Sequence, residues 1–300
     1  MPRLNEIHIR DPFVYPDPID RTYYMFGTTG RTAWEGKPEG FDVYASKDLL
    51  DWEGPYPAFR PHADFWSDQD YWAPEVHHYK GKYYMLASFK SANKSRATQI
   101  LVADLPIGPY VPFGDKPITP MDWECLDGTL YVDNLHQPWM IFCHEWLQVD
   151  DGEICAVPLK DDLSGPADEP ALLIRASQAP WACPTKSGYQ FVTDGPFIYE
   201  TEDRLLMIWS SFGKSGYAIG ICKSQSGTIS GPWEHLPEPL FERDGGHGMI
   251  FKTFDGELLL ALHVPNVHPM ERPAFFPIRD AGDTLEMIGV LSTKELRRCT

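Results

Sequence analysis

The sequence predicts an all-β fold, a five-bladed β-propeller with four antiparallel strands per blade, on three observations. First, 28 Pro and 24 Gly punctuate the 300 residues and leave little room for helices. Second, the apolar runs between them are short and rich in aromatic and β-branched residues, as strands are. Third, five segments follow one grammar, and self-similarity at a period of this size marks stacked or radial units.

Each unit opens with a head residue at the start of an apolar strand. The five openings are Asp11-Pro-Phe-Val-Tyr15, Ala73-Pro-Glu-Val-His77, Asp127-Gly-Thr-Leu-Tyr131, Asp194-Gly-Pro-Phe-Ile198 and His247-Gly-Met-Ile-Phe251. The heads fall at intervals of 62, 54, 67 and 53 residues. A turn leads to a second apolar strand in each unit: Tyr23-Tyr-Met-Phe26, Tyr83-Tyr-Met-Leu86, Trp139-Met-Ile-Phe142, Leu205-Leu-Met-Ile208 and Leu258-Leu-Leu-Ala261. Gly81 and Asp255-Gly256 mark such turns. Third strands follow at Phe41, Gln99, Glu153, Tyr217 and Arg272, and Asp51-Trp-Glu53, Gly108-Pro-Tyr110 and Gly231-Pro-Trp233 open outer strands. A unit of four strands used five times is a propeller blade. An antiparallel sandwich explains strand spacing but not five matching heads.

With 43% hydrophobic residues, the chain can bury a core as a single domain over residues 1–300. A formal net charge of −17 repels phosphate, so neither nucleic acid nor an anionic membrane is an expected partner. The six cysteines show no CxxC or Cys/His ligand spacing, and four lie in strand-like apolar runs. They read as reduced, buried thiols, which with the lack of a signal-peptide-like start predicts a cytoplasmic protein.

In a propeller the first strand of every blade lines the central channel, so the heads Asp11, Ala73, Asp127, Asp194 and His247 converge. Three carboxylates and an imidazole crowded together raise one another's electrostatic cost, and such crowding usually serves a function. The second strand runs back to the same face. That places His144 and Glu145 of blade three at the funnel, with Thr28, Ser88 and Ser210 at comparable places. Clustered carboxylates, without a nucleophile elbow, a phosphate loop or metal-ligand spacing, indicate proton transfer about an acetal, with one carboxylate as base on water and another as acid on the leaving oxygen. Trp72, and Trp34, Trp66, Trp146 and Trp181 in loops, are either packing residues or stacking walls for sugar rings.

Taken together and in this order, Ile9-Arg-Asp-Pro12, Trp72-Ala-Pro-Glu-Val76, the strand at Asp127, Asp194-Gly-Pro196 and Gly246-His-Gly248 resemble glycoside hydrolase family 43 over nearly the whole chain. The resemblance implies a five-bladed propeller and an inverting hydrolase that releases a neutral pentose, L-arabinofuranose or D-xylose, from plant-type oligosaccharides. It implies Asp11 as general base and Asp127 as the residue that raises and orients the acid. His247 is similar to an axial histidine that helps hold a calcium ion or water in the channel; no other cofactor is implied. The family usually has Glu-Gly-Pro where this chain has Asp194-Gly-Pro, so Asp194 and Glu145 both stand as candidate acids, with Glu75 and Glu200 behind them. Trp72, His144, Trp146 and Arg272 are the expected substrate-binding residues, and a small oligosaccharide is the expected partner. A catalytically silent sugar-binding propeller, a retaining fructan hydrolase and a mannoside phosphorylase are the competing readings. Exo and endo cutting both fit.

Overall fold

A computed structural model describes residues 1–29, 36–202 and 204–289. Trp34 and Cys299 lie outside the described residues. Five separate four-stranded antiparallel sheets follow one another along the chain, each with its strands in sequential order. This is the five-bladed propeller expected, and it excludes the two-sheet sandwich. The innermost strands are Arg10–Asp17, Gln69–Tyr79, Cys125–Val132, Asp194–Glu200 and Gly246–Lys252. The outermost are Glu53–Phe59, Val111–Pro112, Ala171–Arg175, Trp233–His235 and Leu285–Met287.

The second strands read as unbroken apolar runs because both of their faces are covered. Successive side chains of a strand point to opposite faces. Met140 and Phe142 therefore enter the core between blades two and three, while Ile141 and Cys143 enter the core between blades three and four. Met207 and Trp209 likewise face blade three, and Leu206 and Ile208 face blade five. The fifth core joins blade five to blade one through Leu259, Phe275, Met25 and the fully buried Trp52, with Ile7 and Ile9 of the N-terminal lead. Among the described residues each blade is built from one contiguous stretch of chain, so side-chain packing closes the ring and no strand is shared across the closure.

Every innermost strand carries a two-for-one bulge near its start. The register skips between Arg10 and Phe13, Trp72 and Glu75, Asp194 and Phe197, and Gly246 and Met249, and Leu126 and Thr129 flank the same break in blade three. The first bulged residue is left-handed in all five blades: Asp11 (φ 55°), Ala73 (46°), Asp127 (56°), Gly195 (49°) and His247 (49°). That conformation costs an ordinary L-residue about 1–2 kcal/mol, yet four blades accept it. The bulge re-aims a side chain toward the axis.

Blade four corrects the expected alignment. Its head is Gly195, and Asp194 occupies the preceding position, equivalent to Arg10, Trp72, Leu126 and Gly246. A Cβ on Gly195 would lie 2.8 Å from the His247 ring, so this blade must present glycine to make room for the imidazole. Blade three carries a matching one-residue offset. The partners across the strand pair are Thr28, Ser88, Cys143, Ser210 and His263, so Cys143, not His144, is the counterpart of Thr28.

These positions latch neighbouring blades. The head N–H groups of Ala73, Asp127 and His247 donate to the hydroxyls of Thr28, Ser88 and Ser210 of the preceding blade at 2.8, 2.9 and 2.8 Å. Asp11 N–H donates to His263 Nδ1 at 3.3 Å across the closure. Cys143 has no hydroxyl to offer, and Gly195 N–H instead donates to Asp127 Oδ2 at 2.9 Å.

Cys125, Cys143, Cys155 and Cys222 are buried thiols and Cys183 is half-buried; all five are unpaired. Among the described residues no helix is long and apolar enough to cross a membrane.

Candidate active site

Two rings of side chains meet in a cavity of about 160 Å³ at the mouth of the channel. The heads contribute Asp11, Asp127 and His247, and the residues just before heads contribute Arg10, Trp72, Leu126 and Asp194. Glu145, Trp146 and Tyr217 complete the lining. The structure therefore brings together Asp11, Asp127, Asp194, Glu145, Trp72, Trp146 and His247 as the sequence predicts, although Asp194 arrives from the pre-head position.

Asp11 is held from several sides. The Thr28 hydroxyl donates to Oδ2 at 2.7 Å, His247 Nδ1 lies 3.3 Å from Oδ1, and Arg10 Nε lies 3.6 Å from Oδ1. Burial alone would push this carboxyl up, but the His247 and Arg10 charges outweigh it and hold Asp11 below the usual carboxylate range. His263 behaves differently. Burial and the Arg10 charge push it down to about 3, so it is neutral. Its Nδ1 accepts the Asp11 N–H, which leaves the proton on Nε2, facing Asn266 Oδ1 at 3.3 Å.

Asp127 is the opposite case. Burial, opposed by His247 but reinforced by the carboxylates of Asp194 and Asp11, pushes it up to about 7. Burial also raises Asp194, against the pull of the Tyr217 hydroxyl, which donates to Oδ2 at 2.6 Å. His247 lies 3.6 Å from Asp127 Oδ2 as well as against Asp11; burial lowers it, but these carboxylates raise it further. Its position between the two carboxyl groups thus favours the protonated imidazole.

Glu145 follows the second strand of blade three as the N-cap residue of the short helix Trp146–Val149. Its Oε2 meets Arg96 Nη1 at 2.5 Å, while Arg96 Nη2 donates to Asp70 at 2.7 Å. The guanidinium also lies 4.0 Å over the Trp72 ring, so one buried arginine fixes both a carboxylate and an aromatic wall of the cavity. Burial pushes Glu145 up against the pull of Arg96.

Other expected residues are engaged elsewhere. His144 points to the opposite face from Cys143. Its Nδ1 sits 3.0 Å from Glu153 and its Nε2 2.9 Å from Gln148, and its ring stacks on Trp123 at 4.2 Å. Arg272 donates to the backbone carbonyls of Pro269 and Glu271, outside the cavity lining. Trp181 is buried in the core between blades three and four, with Gly220 directly against its ring. Trp66 packs edge-on to Phe89 and donates to Gln99 at 3.2 Å, away from the funnel. Glu75 faces His77 at 3.1 Å, and Glu200 lies at the far end of its strand.

Calcium takes six to eight oxygen ligands. The His247 surroundings offer a ring nitrogen already turned to Asp11 and Asp127, and these side chains alone do not form such a cage. Arg10, Arg96 and Tyr217 escaped the sequence reading. Arg10 had a signal, because it holds the same pre-head position as Trp72 and Asp194.

The raised Asp127 makes a stability prediction. Its folded-state value of about 7 lies above its ordinary 3.8. The folded protein keeps this proton where the unfolded chain loses it, so the site's contribution to stability falls as pH rises between those values. The gap corresponds to at most ~4 kcal/mol. Asp127→Asn cannot ionise and still accepts the Gly195 N–H through its amide oxygen. It is expected to raise the unfolding midpoint at pH 8 by several degrees, and by clearly less at pH 4.5. Scanning calorimetry at the two pH values checks this, and an equal or smaller gain at pH 8 contradicts it.

Comparison with known proteins adds to this geometry. The family model described as glycosyl hydrolases family 43 matches residues 6–279. A solved endo-arabinase from Bacteroides thetaiotaomicron is 42% identical, covers 94% of this chain and 98% of its own, and superposes with a TM-score of 0.88. An extracellular exo-α-(1→5)-L-arabinofuranosidase of Cellvibrio japonicus is 24% identical over 86% of this chain and 79% of its own length. The α-L-arabinofuranosidase structure from Lactobacillus brevis is similar in fold, with a TM-score of 0.75, 16% identity and coverage of 95% and 94%.

Proposed function

Because the chain belongs to glycosyl hydrolase family 43, we propose that it hydrolyses α-1,5-linked L-arabinofuranosyl bonds of arabinan-type glycans with inversion at the anomeric carbon. The arabinan-directed names of the Bacteroides and Cellvibrio proteins support the substrate class. One observation carries the chemistry: a single cavity holds one carboxylate kept below its usual range, Asp11, beside three pushed above it, Asp127, Asp194 and Glu145. Opposed environments of this kind separate a base from an acid.

Asp11 takes a proton from water as its oxygen attacks the anomeric carbon. Asp194 gives its proton to the departing glycosidic oxygen, and solvent later returns the two residues to their starting states. Asp127 and His247 tune this pair. His247 keeps Asp11 ionised, Asp127 faces the same imidazole nitrogen at 3.6 Å and so holds the ring in place, and burial together with the Asp11 charge favours the proton on Asp194. Burial raises both Asp194 and Glu145, and we assign the acid to Asp194 because the Glu145 Oε2 is tied to the Arg96 guanidinium, which stays charged and opposes that rise. The donor to Asp194 is a neutral phenol. Trp72, braced by Arg96, and Trp146 form the walls for sugar rings.

Incubation with linear arabinan, arabino-oligosaccharides and 4-nitrophenyl pentosides tests the substrate. The expected result is release of arabinose or arabino-oligosaccharides with initial formation of the inverted anomer by NMR. Preferential turnover of xylan or xylosides would overturn the assignment.

A further inference from the structure

We propose that His8, His268 and Glu271 form a binding site for a divalent transition-metal ion of the zinc class, beside the funnel where the ring of blades closes. His8 lies in the lead before the innermost strand of blade one, and His268 and Glu271 lie between the second and third strands of blade five. Their nearest ligand atoms all fall within 4.8 Å of one another. His8 Nε2 is 3.3 Å and His268 Nδ1 3.6 Å from the same oxygen, Glu271 Oε2.

Metal–ligand bonds of about 2.0–2.1 Å put the atoms of a tetrahedral set ~3.4 Å apart, so two of the three edges already have the spacing that an ion requires. Small side-chain adjustments bring in the third. Two imidazoles and one carboxylate make a set that suits zinc, cobalt or nickel and disfavours calcium and magnesium, which prefer all-oxygen shells.

The surroundings are those of a built site with an entry path. The Glu271 side chain is fully buried, while His8 and His268 are 32% and 41% exposed. An ion can enter from solvent and keep a water as its fourth ligand. The other Glu271 oxygen, Oε1, faces Arg10 Nη1 at 3.4 Å, which fixes the carboxylate from behind. Arg10 in turn donates to Asn266 at 2.6 Å and lies against Asp11. A bound ion therefore cross-links the lead of blade one to blade five and steadies the arginine that borders the catalytic cavity.

The test uses the full chain without an affinity tag, stripped with chelator and dialysed. Titration with Co²⁺ is expected to give visible d–d bands of a four-coordinate site that saturate at one ion per chain. Zn²⁺ should displace the cobalt stoichiometrically, and millimolar Ca²⁺ or Mg²⁺ should not. Zn²⁺ should also raise the unfolding midpoint by ~2–5 °C. His8→Gln and His268→Gln are each expected to weaken binding by about 100-fold. His268 is exposed, so its variant threatens folding least, and circular dichroism verifies both. Absence of the bands, binding that survives in the double variant, thiolate charge-transfer bands that assign the ion to cysteine, or displacement by Ca²⁺ would each overturn the site.

Discussion

Asp11→Asn is expected to lower kcat on arabino-oligosaccharides by ~10²–10⁴-fold, the range that removal of a positioned general base produces. An amide cannot take the proton from water. The surroundings accept the replacement, because the Thr28 hydroxyl also receives the Ala73 N–H and can turn to accept from the new amide. The left-handed backbone at position 11 is among the conformations that Asn tolerates well. Calorimetry should find substrate affinity within a few-fold of wild type, and circular dichroism an unchanged fold. The acid limb of the pH profile belongs to the same group. In the wild type, activity should fall only below the usual carboxylate range, since the nearby charges hold Asp11 down. Turnover above a tenth of wild type in the variant would remove Asp11 as base. A wild-type protein that binds arabino-oligosaccharides without cutting them would support the silent sugar-binding reading instead.

The propeller was legible because each second strand must satisfy two cores at once. Runs such as Trp139-Met-Ile-Phe142 cannot come from a sheet with one wet face. Asp11, Asp127 and His247 were legible as heads because the same backbone bulge recurs and places them at one height. In blade four, charge misled the reading. Asp194 resembles Asp11 and Asp127 in chemistry, but the left-handed bulge falls on Gly195, where the His247 ring leaves no room for a side chain. The period-two alternation of strands then explains His144. One residue past Cys143, its ring faces Glu153 and Trp123 and not the funnel. Arg96 could not be found this way, because its partners Asp70, Glu145 and Trp72 come from two blades and no local pattern joins them.

Asp194→Asn is expected to divide substrates by their leaving groups, and Glu145→Gln is not. An acid helps only when the departing oxygen needs a proton. A sugar hydroxyl does, whereas 2,4-dinitrophenolate leaves unaided. Loss of the acid should therefore reduce turnover of linear arabinan by about 10³-fold while 2,4-dinitrophenyl arabinofuranoside loses less than about tenfold. Asp194 earns this expectation from its place between Asp127 and the Tyr217 phenol, in surroundings that favour its protonated form. Glu145→Gln should affect the two substrates alike. Its amide can still accept from Arg96, so its loss acts through the position of Arg96 and Trp72 and appears mainly in KM. The side chain of Asp194 is also one methylene shorter than the family's usual glutamate, so Asp194→Glu tests reach. If the Tyr217 hydroxyl holds the carboxyl where the leaving oxygen passes, lengthening it should lower kcat, since the head that follows is a glycine pressed against His247 and cannot move to make room. Leaving-group selectivity appearing in Glu145→Gln and not in Asp194→Asn would transfer the acid to blade three.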